Sequence, residues 1–348
     1  MKKLLRFSAL LTLAALVMPA LAAAFPVKTE APEAVLSPAP LYDKTAAESP
    51  SAIVTEQKGF DESASVTLWN GSAVETLSLR DYLEGVLAAE MPADFPEEAL
   101  KAQAVAARTY ALYKAALSNG EAADVHHGAQ LCTDPAHCEA FLDLAAQASS
   151  LWGGGAEMYQ ERICRAVKET DGLILTYGGE PIAAVFCAAS AEQTESASDV
   201  WGEEMPYLIS VPSPGGQDCG NYFGETHVSL DDFRAAMAAR HPDAAFSDRP
   251  EEWISQADRS PAGGIRSLTV GGTKVKGTEL RQCFGLNSTN FTIRVEGDEL
   301  IFSTIGYGHG VGLSQYGARY MALSGETFEA ILSHYYPGAA LTEKTEGV

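Results

Sequence analysis

Glu90 closes the segment Tyr82-Leu83-Glu84-Gly85-Val86-Leu87-Ala88-Ala89-Glu90 and stands two residues before Pro92. Tyr82, Val86 and Ala89 recur at helical spacing, so the segment reads as an amphipathic helix. Helices usually end at or before the residue preceding a proline, which places the end of this one beside Glu90. A carboxylate there faces the negative end of the helix dipole, and Ala88, Ala89 and Met91 offer little polar solvation. Both effects push a carboxyl pKa upward, which is what a general acid needs. The competing reading is a surface glutamate at a fraying helix end, and position alone favours it. Glu97 and Glu98 are the nearest rival carboxyls, but they open the next helix, where the dipole stabilises negative charge.

Two other stretches carry chemistry. His126, His127, Cys132, His137 and Cys138 crowd together, and mixed thiolate and imidazole sets hold zinc. The spacing is not that of a standard zinc finger. The alternative is a Cys132–Cys138 disulfide, natural in an exported chain. Gly306, Gly308, Gly310 and Gly312 alternate around His309. This is neither the dinucleotide pattern G-x-G-x-x-G nor a phosphate loop, which needs a following Lys-Ser/Thr pair. Alternate glycines leave one strand face bare, so a ligand or a second backbone can approach.

The elements that must position these residues follow from the pattern. Ser78 caps the Glu90 helix. Asp94 with Glu97 resembles a capping box, Pro96 suits a first turn, and a helix runs on to about Leu117. On it Lys101 and Arg108 are seven apart and share a face. They either line a polar groove for carboxylates or pair with acids inside the protein. Residues 119 to 160 read as a loop, and from Arg162 the pattern turns to strands. Leu173–Tyr177, the Gly178-Gly179 turn and Ile182–Phe186 read as a hairpin. Ser65–Trp69, Ser267–Val270 and Phe291–Val295 read as further strands, and Phe233–Arg240 and Phe328–Tyr336 as helices. Without regular βαβ alternation the class is α+β. The helical segment with Glu90 would pack on a mixed, largely antiparallel β region and form a cleft.

The chain has 348 residues, with 24 basic and 46 acidic side chains and a net charge of −22. Such a chain repels nucleic acid, which is excluded as the main partner. Lys2, Lys3 and Arg6 precede an uncharged run from Phe7 to Pro26, the form of an export signal. Residues 1–25 are therefore expected to be a signal peptide or membrane anchor, 26–64 a disordered tether, and 65–342 one domain working outside the cytoplasm. No H-E-x-x-H helix is present, which disfavours a metalloprotease.

Four stretches, in order, resemble the stage II sporulation protein D (SpoIID) and LytB amidase-enhancer family. They are Tyr82 to Tyr110, Thr194 to Leu208, Phe284 to Phe291, and Gly306 to Ala318. The resemblance implies a peptidoglycan lytic transglycosylase, cutting between N-acetylmuramic acid and N-acetylglucosamine to leave 1,6-anhydro ends. It implies Glu90 as the catalytic residue. Beside it, Lys101, Gln103, Arg108, Tyr207, His309, Ser314 and Gln315 are the candidate substrate-binding residues, with a core hydrogen bond the alternative for His309 and a helix cap the alternative for Ser314 and Gln315. The resemblance also implies a role in engulfment during sporulation, with a partner cell-wall amidase or hydrolase and a membrane protein. Similarity to some clostridial members implies zinc on His126, Cys132 and Cys138, with His137 a further ligand. The chain departs from the pattern at Cys187, where members often carry His, and at Ala191-Glu192, where they carry two glycines. The amidase-enhancer relatives imply a second possibility, a wall-binding module without catalysis that stimulates an amidase.

Overall fold

The computed structural model describes residues 59–118 and 126–345. Residues 1–25 and nearly all of 26–64 lie outside this range. Among the described residues no helix is long and apolar enough to cross a membrane. The architecture is α+β, with small, mostly antiparallel sheets and helices packed against them.

The chain enters through a short helix α1 (Phe60–Ser63) and an antiparallel hairpin of strands Ser65–Trp69 and Val74–Ser78. Helix α2 (Leu79–Glu90) and helix α3 (Glu97–Ser118) follow. The Ser78 side chain accepts from the Asp81 N–H at 3.0 Å, so α2 begins where the cap was expected. Met91 leaves the helical conformation and Glu90 is the last helical residue. Alanines 99, 102, 104, 106, 107 and 111 of α3 are all fully buried. Their small side chains let α2, a later helix and two C-terminal helices close around α3.

The span 119–160, expected as loop, contains helix α4 (Leu144–Trp152), capped by Asp143, and helix α5 begins at Ala156 and runs to Glu169. The strand pattern therefore starts at Leu173 rather than Arg162. Strand Leu173–Tyr177 turns at Gly178-Gly179 into a two-residue strand, Glu180–Pro181, and pairs on its other side with Ala340–Glu343. The expected strand Ile182–Phe186 is irregular until Phe186–Cys187, which pairs in parallel with Leu313–Ser314.

A second hydrophobic cluster forms a lobe between Phe223 and Ile305. One sheet orders strands Phe291–Glu296, Glu299–Ile305 and Phe223–Ser229, and another orders Thr273–Lys276, Ile265–Val270 and Ile254–Arg259. Phe233, on the helix Leu230–Arg240, and Phe302 anchor its core. The chain then returns to the first cluster through the glycine-rich stretch, the helix Gln315–Leu323 and the helix Phe328–Tyr335.

Candidate functional site

Glu90 is largely buried at the C-terminal end of α2. Its Oε1 accepts from the Ala140 N–H at 2.8 Å, and among the described residues Oε2 has no hydrogen-bond partner. Burial lifts its pKa from the ordinary 4.5 to about 7, and the single Ala140 hydrogen bond opposes this only in part. Loss of solvation is thus the dominant cause. Near neutral pH the carboxyl is held in place by one oxygen and can give up or take a proton at the other.

A second acid, which the sequence pattern did not single out, stands behind it. Glu139 is fully buried, and the Tyr82 hydroxyl donates to its Oε2 at 3.1 Å. Its Oε1 is buried without a partner. Burial raises its pKa strongly, and the nearby Glu90 charge raises it further. Glu139 follows Cys138 directly, and only the fold brings that turn under α2.

His126, Cys132, His137 and Cys138 converge beside this turn. Their donor atoms lie within 4.8 Å of one another. His126 Nε2 is 2.9 Å from His137 Nδ1 and 3.3 Å from Cys138 Sγ, and His137 Nδ1 is 3.6 Å from each sulfur. Four donors on a zinc ion at bond lengths of about 2.0–2.3 Å would stand about 3.3–3.8 Å apart. The three nitrogen–sulfur separations match this, and the two imidazole nitrogens, at 2.9 Å, would have to part slightly around a tetrahedral ion. No disulfide joins the two cysteines. Cys132 is fixed by the parallel pairing of Leu131–Cys132 with Leu68–Trp69, and Cys138 by its N–H on the Asp134 carbonyl at 2.8 Å. His137, counted at first as an extra ligand, completes the set. The His127 ring packs on Trp69 instead, with centroids 4.2 Å apart.

Several residues expected to touch substrate are occupied elsewhere. Arg108 is fully buried, and its Nε donates to Asp61 Oδ1 at 2.8 Å. Asp61 belongs to α1, inside the span expected to be tether. The α1 start is fixed by Asp171, whose carboxylate accepts from the Phe60 and Asp61 N–H groups at 2.9 and 2.8 Å. Lys101 is ringed by Glu97, Glu98 and Glu169, at 2.7 Å from the last. The shared face of Lys101 and Arg108 therefore serves internal ion pairs. Gln103 is fully buried with both amide atoms unpartnered. Ser314 is fully buried and caps the helix Gln315–Leu323, accepting from Gly317 and Ser190 N–H groups at 3.3 and 3.2 Å. Gln315 is buried beside it.

The glycines also depart from the expected bare face. Gly306, Gly308, Gly310 and Gly312 all take positive φ, and a Cβ on Gly308 would lie 2.7 Å from that of Cys187. The stretch is a close crossing of two backbone segments. His309 Nδ1 accepts from the Val311 N–H at 3.0 Å, and burial with Arg281 nearby lowers its pKa to about 4, so the ring is neutral. Burial pushes the Cys187 thiol up to about 12, which leaves no thiolate for nucleophilic chemistry. Tyr207 remains half-buried, its ring beside Tyr177 at 5.7 Å and its hydroxyl accepting from the Ala183 N–H.

Comparison with known proteins agrees with this assembly. The SpoIID family profile, described as a stage II sporulation protein, matches residues 70–177, which include Glu90, Glu139 and the four donor residues. Stage II sporulation protein D of Bacillus subtilis (strain 168) is 34% identical over 271 residues, spanning 78% of this chain and 76% of that protein. The Bacillus amyloliquefaciens protein of the same name gives the same identity and coverage. An amidase enhancer of Bacillus subtilis is 28% identical over 308 residues, spanning 75% of this chain but 40% of that longer protein. By these matches the chain belongs to the SpoIID and amidase-enhancer family.

Proposed function

We propose that this protein is a lytic transglycosylase that cleaves peptidoglycan glycan strands, with Glu90 as acid and then base. The observation that carries the reading is the buried Glu90 carboxyl, with a pKa of about 7 and one oxygen held by Ala140. The protonated carboxyl donates to the glycosidic oxygen as the C1–O bond breaks. The carboxylate so formed takes the proton of the sugar's own C6 hydroxyl, whose oxygen closes onto C1. This gives a 1,6-anhydro end and returns Glu90 to its protonated form. Hydrolysis normally asks for two carboxyl groups because a water or a covalent intermediate must be handled. Here the nucleophile is internal, and one carboxyl working near its pKa serves both steps.

The four donor residues would hold a zinc ion as a closed structural site, which supplies rigidity to the turn carrying Glu139 and Ala140. In this reading residues 1–25 direct export or anchor the chain, the stretch between them and α1 forms a tether, and the body from α1 onward forms the domain that acts on the wall. By family, that action belongs to septal wall remodelling and engulfment in sporulation, beside a partner amidase and a membrane protein.

The amidase-enhancer relative favours a second reading, a wall-binding protein that stimulates an amidase without cleaving glycan. Digestion of purified glycan strands by the wild type and Glu90→Gln separates the two. Anhydro-muramic products from the wild type alone support the enzyme. Equal wall binding with products from neither supports the enhancer.

A further inference from the structure

Ala140, whose N–H holds Glu90, belongs to no helix or strand. Residues 139–143 run as irregular chain between the Cys132–Cys138 turn and the start of α4. Neither a ladder nor a helix fixes that N–H, so its place depends on the contacts that hold the segment against α2. Three of them follow α2 in order. The Tyr82 ring lies flat on the Phe141 ring, with centroids 5.8 Å and planes 7° apart, and the Tyr82 hydroxyl donates to Glu139. One turn on, the Gly85 carbonyl accepts from the Leu142 N–H at 3.4 Å. At the end of the helix Glu90 accepts from Ala140. The middle contact requires a missing side chain. Gly85 is buried in the interior of α2, and no positive φ explains a glycine there. Glycine is, after proline, the least favourable helix residue. A Cβ at this position would overlap both the Leu142 carbonyl oxygen and the Phe141 ring. The segment therefore passes α2 at a distance that only glycine permits.

We propose that Gly85 is a positioning residue for Glu90: its bare backbone lets residues 139–142 lie on α2, and that close passage delivers the Ala140 N–H to Glu90 Oε1. The last torsion of a glutamate side chain is soft, so without a donor the carboxyl plane would swing. With Oε1 pinned, Oε2 is held in one direction. Misplacing a reacting group by about 1 Å can cost roughly 100-fold in rate. Gly85 acts through the 139–142 segment and takes no part in proton transfer. Its effect on rate rests on the glycan-cleaving reading, whereas the contact with the segment stands without that reading.

The test compares the full chain with Gly85→Ala and with Gly154→Ala, whose added methyl would meet nothing within 4 Å. In isotope-labelled protein, hydrogen exchange follows the Ala140 amide, and the carboxyl carbon signal follows Glu90, with Glu90→Gln to assign it. Gly85→Ala is expected to speed Ala140 exchange roughly 10-fold or more. It should raise the Glu90 pKa above about 7, because the hydrogen bond that favours the ionised form is lost. It should lower kcat for glycan cleavage roughly 10- to 100-fold with KM within about twofold. Gly154→Ala should match the parent throughout. A merely structural glycine would not single out the Ala140 amide or split kcat from KM. Parent-like exchange, an unmoved or lowered Glu90 pKa, or a change confined to KM overturns the proposal. If Gly85→Ala does not fold, Phe141→Ala frees the same segment from Tyr82 without adding an atom to α2. It should speed Ala140 exchange and lower kcat, and parent-like values for both overturn the proposal. No anhydro products from the parent would sink the enzyme reading alone, since exchange and the carboxyl signal need no turnover. Products from the parent and from an equally active Gly85→Ala would sink the positioning role alone.

Discussion

The raised pKa of Glu90 makes a prediction that needs no substrate. A carboxyl that titrates near 7 when folded and near 4.5 when unfolded binds protons more tightly in the native state. Its contribution to stability is fully present below about pH 4.5 and is lost as pH rises through about 7. That rise is worth about 3.4 kcal/mol at about 1.36 kcal/mol per pH unit, and about three quarters of it falls between pH 5 and pH 8.5. Glu90→Gln keeps the acceptor for the Ala140 N–H but cannot ionise. The variant should therefore gain on the wild type as pH rises, by about 2.5 kcal/mol across that interval, or roughly 3–5 °C in Tm for a chain of this size. Differential scanning of both proteins in matched buffers reads the difference directly. Any effect of pH on the metal ligands is common to both and cancels. A Tm difference that stays constant from pH 5 to 8.5 would refute a buried, uncompensated carboxyl at this position. Activity should follow the same group, with the rate of glycan cleavage falling above an apparent pKa near 7 because the first step requires the protonated form.

Asp61→Ala should cost about 3–5 kcal/mol in denaturant unfolding by leaving the Arg108 guanidinium buried and unpaired, and Asp61→Leu with Arg108→Met should recover much of it; equal losses from the single and double variants would count against the ion pair. Protein purified without chelators should carry one zinc per chain by mass spectrometry, and Cys138→Ser should lose it together with thermal stability; a metal-free parent would reject the site. Ser314→Ala should cost about 1 kcal/mol through the lost helix cap while leaving oligosaccharide affinity unchanged; a selective loss of affinity would restore Ser314 to the ligand.

The parts of the site that were legible in the sequence are those set by local rules. Met91-Pro92 stopped α2 beside Glu90, Ser78 started it, and the crowding of His126, Cys132, His137 and Cys138 marked the donor cluster. What was not legible depended on contacts between distant segments. Glu139 looks unremarkable until the Cys132–Cys138 turn folds under α2. Arg108 reads as a groove residue because its partner Asp61 lies 47 positions away, in a stretch whose composition suggests a tether. The glycine-rich stretch shows its alternation plainly, but whether a sugar or a neighbouring strand fills the space depends on where Cys187 and its neighbours run. Helix α4 was hidden because Ala, Ser and Gly dominate its neighbourhood and no strong apolar stripe announces it.

The pairing of Asp61 with Arg108 also ties the short entry helix to the stability of the whole body. A protease cutting just after Ser63 would detach everything N-terminal to the folded body and take α1 with it. The remainder would be left with an internal guanidinium on α3 that faces no anion and keeps only its neutral acceptors, the Val167 and Leu173 carbonyls and the Thr170 hydroxyl. A cut at that point would therefore take one half of the internal ion pair from the folded body, and the fragment left behind would unfold more easily than the intact chain.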